Sequence, residues 1–110
     1  MNPHRLRRPR HDGAALRYLA QWRKYVELTE RRARRGEFNP HAGCPCCDEL
    51  ARENGRGQLE SLMRNGGRRA HRLSAAVTRL DERFRAATVE KGTDAWQSAP
   101  WWERRTVLEP

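Results

Sequence analysis

The most chemically loaded stretch of the chain is His41-Ala42-Gly43-Cys44-Pro45-Cys46-Cys47-Asp48, which holds all three cysteines. Cys44 and Cys47 form a Cys-x-x-Cys pair, a spacing at which two thiolates reach one ion or close a small disulfide. His41 stands three residues earlier and is placed to supply a third ligand. Soft sulfur with imidazole suits tetrahedral zinc, so zinc is the cofactor this segment would take. Cys46 adjoins Cys47 and projects about 100° from it if both are helical. The fourth ligand is therefore open among Cys46, His11, His71 and a water.

The same atoms allow redox chemistry. A cysteine just ahead of Pro45 at a helix start meets the positive end of the helix dipole, which favours the thiolate and reversible disulfide formation. Cys44-Pro45-Cys46-Cys47 resembles the Cys-Pro-x-Cys active site of glutaredoxins. The chain offers no strands for a thioredoxin-like sheet, so only the local chemistry transfers. A third reading makes these residues small, partly buried members of a turn, with free thiols.

Positive charge is the second chemical resource. The formal charge is +9, and 21 of the 23 basic residues are arginine, a skew that a GC-rich coding sequence also produces. The charge is blocked along the chain: +8 over residues 1–35, −3 over 36–63, +4 over 64–90 and zero over 91–110. Such blocks imply an acidic partner, either nucleic acid or an acidic protein. Arg31, Arg32, Arg34 and Arg35 fall at a helix C-terminus, where cations simply complement the dipole. Arg68, Arg69 and Arg72 fall at a helix start, where the dipole disfavours them unless an anion is present. Guanidinium forks beside free backbone N–H groups, after the pliable Asn65-Gly66-Gly67, make a phosphate site. A break followed by a helix with a basic start is also the layout of a helix-turn-helix reader. The plain alternative is a solvated face, paired with Glu49, Glu53 or Glu60. Arg5, Arg7, Arg8 and Arg10 add a basic arm to the nucleic-acid surface. Trp101 and Trp102, followed by Glu103-Arg104-Arg105, form a candidate partner-binding motif. Folding back onto this chain's own core is the competing fate, and it suits the scarcity of large apolar residues better.

Catalysis finds little support, with thiol redox chemistry the one exception. Ser61, Ser74 and Ser98 lack a nucleophile-elbow context, no Gly-rich phosphate loop carries a lysine, and no His-Glu-x-x-His is present.

The elements that must position these residues are helical. Residues 1–12, with Pro3 and Pro9, read as a flexible basic arm, and Asp12 as a helix N-cap. A first helix is predicted over 13–35, its apolar face formed by Leu16, Leu19, Trp22, Val26, Thr29 and Ala33 at helical spacing, with Gly36 as its stop. Residues 37–43 are a loop. A second helix is predicted over 45–65, beginning near Pro45 and interrupted at Gly55 and Gly57, with Leu59, Leu62 and Met63 resuming its apolar face. The third, over 68–90, shows the clearest pattern: Ala70, Leu73, Val77, Leu80, Phe84 and Ala87 alternate by three and four, leaving Arg79, Arg83 and Arg85 toward solvent. Gly92 ends it, and 93–110 reads as an irregular tail containing the tryptophan pair. No alternating strand pattern stands out.

The fold class is thus all-α: a small three-helix hairpin or bundle spanning 13–92, with a basic N-terminal arm and an irregular Trp-containing C-terminal tail. Leu, Ile, Val and Phe are sparse enough, at this charge, for part of the chain to be expected unfolded on its own. The third-helix stripe needs covering, by a homodimer or by the docked Trp tail. No stretch is apolar enough for a signal or a membrane span, and clustered cysteines argue against a secreted disulfide framework, so a reducing cytoplasm is expected. The sequence predicts a small non-enzymatic accessory or regulatory protein that binds nucleic acid through its arginines. Its alternatives are a protein-interaction module docking by the helical stripe or Trp tail, and a cysteine-based zinc or redox sensor.

Overall fold

The computed structural model describes residues 8–36, 53–90 and 99–107, with the side chains of residues 8–12 and 69 excepted. The cysteine segment, the predicted helix start at Pro45, Arg5, Arg7 and Trp96 lie outside the described residues.

Helix α1 spans Arg8–Arg35. It starts five residues before the sequence-based expectation, so Arg8 and Arg10 belong to a helix rather than to an arm. Pro9 explains the difference: in a first turn its missing N–H would have no intrahelical partner anyway, and its fixed φ suits the helix. The helix stops where expected, at Gly36, whose φ of +65° is left-handed and whose N–H bonds the Ala33 carbonyl at 3.3 Å. Trp22, Val26 and Thr29 are buried as expected, joined by Tyr25 on the same stripe. Leu16 departs from the expectation, being 67% exposed. Gly55 packs against α1 at the Tyr18 carbonyl, two residues beyond Leu16.

Helix α2 spans Arg56–Asn65. Gly55 is not a weak middle but the residue before the helix, with φ +76°. A Cβ there would sit 2.7 Å from the Tyr18 carbonyl oxygen, so only glycine lets the two chain segments meet this closely. Asn54 accepts the Arg56 N–H through Oδ1 at 2.9 Å, satisfying one donor of the first turn.

A short 3-10 turn, Gly67–Ala70, leads into α3, His71–Ala86. The stripe is as expected: Ala70, Val77, Leu80, Phe84 and Ala87 are buried and Leu73 is half-buried. The helix ends earlier than expected. Thr88–Glu90 forms strand β1, which pairs antiparallel with β2, Arg105–Val107, matching Thr88 to Val107 and Glu90 to Arg105. The tail is therefore not wholly irregular. Three-residue strands are too short to show alternation, and their trace in sequence is only the β-branched Thr88-Val89 and Thr106-Val107. Among the described residues the fold is three α-helices and this small ribbon, and no helix is long and apolar enough to cross a membrane.

The core unites Trp22, Tyr25, Val26, Leu59, Val77, Leu80 and Phe84, with Trp101 and Trp102 packed on it. Phe84 is its hub, with ring centroids 5.1 Å from Trp22, 5.9 Å from Tyr25 and 6.1 Å from Trp101. Full burial of a side chain such as Phe84, Leu59 or Val77 contributes roughly 1.5–3 kcal/mol. The stripe that needed a cover thus finds one within its own chain, from α1 and the turn Trp101–Arg104.

Candidate nucleic-acid interface

The fold divides the arginines into those it uses and those it leaves. Arg56 is the most deeply used. Its Nε and Nη2 donate to Asp81 Oδ1 and Oδ2 at 3.0 and 2.8 Å, and Nη1 donates to Glu60 Oε2 at 2.8 Å. Trp22 Nε1 donates to the same Asp81 Oδ1 at 3.1 Å. The guanidinium also lies 4.7 Å from the Trp102 ring centre and 5.7 Å from that of Trp101. Burial opposes its charge, yet the hydrogen bonds to Asp81 and Glu60 outweigh that and raise its pKa above the ordinary arginine value.

Other arginines close the edges. Arg83 grips Glu30 with two bonds, at 3.0 and 2.6 Å. That bond foremost lowers the Glu30 pKa, with burial opposing. Arg105 donates from Nε to Thr88 Oγ1 at 2.8 Å and from Nη2 to the Thr88 carbonyl at 3.0 Å, fastening β2 to β1 just past the end of α3. Arg85 stacks 3.9 Å from the Trp101 ring centre.

Arg68 and Arg72 are left. Both are exposed, one on the 3-10 turn and the other in the first turn of α3, and neither has an ion-pair partner among the described residues. No side chain caps the turn, and neither it nor the first turn of α3 holds an acidic residue. Of the acids considered for this block, Glu60 serves Arg56 at 2.8 Å and Arg64 at 3.7 Å, Glu53 stands exposed, and Glu49 lies outside the described residues. Arg69 sits between them in the turn, its side chain outside the described residues. By contrast, within the cluster at the end of α1, Arg32 and Arg35 are engaged in the structure and Arg34 contributes to the field at Glu30.

The remaining candidates are scattered. Arg8 and Arg10 open α1, with side chains outside the described residues, as are Arg5, Arg7, His41, Cys44, Cys46 and Cys47 altogether. Among the described residues no His, Cys, Asp or Glu cluster could hold a metal ion. Trp101 and Trp102 are half-buried, edge-on to each other at 5.9 Å and packed on the core, so folding back is the fate observed.

The joint of Arg56, Asp81 and Trp22 escaped the sequence reading. Its signal was present: Asp81 follows Val77 by four and precedes Phe84 by three, which puts a carboxylate on the buried face. A buried carboxylate requires a cation, and Arg56, flanked by Gly55 and Gly57, is where the backbone makes room for one. Comparison of the chain with family models, with curated proteins and with solved structures finds no match.

Proposed function

We propose that the protein is a small non-enzymatic accessory protein that binds nucleic acid, with Arg68, Arg69 and Arg72 at the centre of the contact. One observation carries the reading: while Arg56, Arg83, Arg85 and Arg105 are consumed by the fold, exposed Arg68 and Arg72 flank an uncapped helical start without an acid. The helix dipole favours an anion there, and guanidinium forks match phosphate oxygens. Arg5, Arg7, Arg8 and Arg10 extend the basic surface from the N-terminal side.

The test replaces Arg68, Arg69 and Arg72 with Gln, and separately Arg31, Arg32, Arg34 and Arg35, and measures binding to duplex DNA and to RNA across a salt series. Counterion release makes phosphate binding steeply salt-dependent, so affinity should fall by about one decade or more between low and moderate salt. The first set should cost more than the second. Equal losses would reduce the effect to polyelectrolyte attraction, and no binding by the parent at physiological salt would end the reading.

A further inference from the structure

Helices α1 and α3 meet face to face through Trp22, Tyr25 and Phe84, so each also has a back. On the back of α1, Arg17, Lys24 and Arg31 are all exposed and recur every seven residues. Seven residues are nearly two turns, so the three share one face, stepping about 10.5 Å and spanning about 21 Å. Exposed Ala20 leaves the row unobstructed, and Glu27 beside it forms no ion pair among the described residues. Arg17 leans on its neighbour Tyr18, 5.1 Å from the ring centre, and remains exposed.

The back of α3 repeats the pattern. Arg72 and Arg79 are exposed and seven residues apart, with exposed Ala75 between them and Arg68 one turn before. Because the apolar stripes of both helices are sunk in one core, the two basic rows point away from each other. Two packed helices put roughly 20 Å between such rows. A duplex is stiff over about 150 base pairs, so a short one lying along one row cannot bend round to the other.

We infer that the protein bridges two nucleic-acid duplexes, one along Arg17, Lys24 and Arg31 and the other along Arg68, Arg72 and Arg79. This rests on the nucleic-acid reading above. Each row neutralises up to three phosphates, which gives a log–log salt slope of about −2.7 and a loss of about 40-fold between about 50 and 200 mM salt.

The experiment immobilises a DNA duplex of about 20 base pairs, well under the persistence length, adds the full chain and then a second, fluorescent duplex of the same length. The parent should capture the second duplex. R17Q/K24Q/R31Q should keep the immobilised duplex bound through Arg68 and Arg72 and abolish capture of the second, whereas R68Q/R72Q/R79Q should weaken binding of the immobilised duplex as well as abolish capture. Glutamine is a good helix former, and circular dichroism checks that both variants stay folded. A parent that holds the first duplex without capturing the second overturns bridging while leaving the nucleic-acid reading intact. So does a row variant that still captures, since a dimer presenting one row twice would do that, and so does loss of first-duplex binding in R17Q/K24Q/R31Q. A parent that binds no duplex overturns the nucleic-acid reading itself, and bridging with it.

Discussion

Replacing Arg56 with Met keeps an apolar stem beside Trp101 and Trp102 but removes every bond the guanidinium makes. Asp81, whose side chain is only 10% exposed, would keep the Trp22 indole N–H as its one remaining donor. Stranding one member of a buried pair costs about 3–5 kcal/mol, a large part of the roughly 5–15 kcal/mol that holds a domain together. Asp81→Leu should cost a similar amount, because Arg56, with 5% side-chain exposure, would be left with Glu60 alone. The double variant removes both charges and orphans only the Trp22 N–H, a penalty of about 1–3 kcal/mol. It should therefore be more stable than either single variant. Urea unfolding followed by tryptophan fluorescence and by circular dichroism gives the three values. An Arg56→Met chain within about 1 kcal/mol of the parent, or a double variant equal to the sum of the singles, would refute the reasoning, since contacting pairs must couple.

Gly55→Ala should destabilise by more than the roughly 1–2 kcal/mol of a left-handed alanine, because its Cβ also meets the Tyr18 carbonyl at 2.7 Å, whereas Gly67→Ala, at φ +54° with open space around it, should cost only the backbone share; thermal melts of the two variants separate these contributions. Glu30 has its pKa lowered by Arg83, so its contribution is present above the unfolded carboxylate pKa and lost as pH falls through the folded value. Glu30→Gln should accordingly flatten the acid limb of a stability-versus-pH curve, while costing no more than about 1 kcal/mol at neutral pH for so exposed a pair. If His41, Cys44 and Cys47 serve as ligands, native mass spectrometry of protein purified without chelator should find about one zinc per chain, and a metal-free protein of full helicity would remove that reading.

The helical frame was legible because its signals are repeated many times: Val77, Leu80 and Phe84, or Trp22, Val26 and Thr29, declare a buried face by spacing alone. Gly36 was legible as a stop for the same local reason. Pro9 misled, since a proline marks a loop or a first turn with equal ease. Gly55 was seen as a break but not as a contact, because the atom it avoids, the Tyr18 carbonyl, is 37 residues away in sequence. The ribbon of Thr88–Glu90 with Arg105–Val107 was hidden by its brevity. Of the candidate interface, the basic helical start at Arg68 and Arg72 was read from sequence; which arginines the fold would consume was not, because that depends on Asp81 and Glu30 arriving from other elements.

The joint at the centre of the molecule draws its three groups from three different helices: Trp22 from α1, Arg56 from α2 and Asp81 from α3. No two helices can complete it. A hairpin of α2 and α3 would bury the charges without the indole and most of the apolar cover, and a hairpin of α1 and α3 would bury Asp81 without its cation. Partly assembled states are thus penalised electrostatically at the place where they would otherwise collapse. Folding is driven toward an all-or-none event in which the three helices commit together, and a population of half-built intermediates, with their exposed aromatic surface, has little free energy on which to persist.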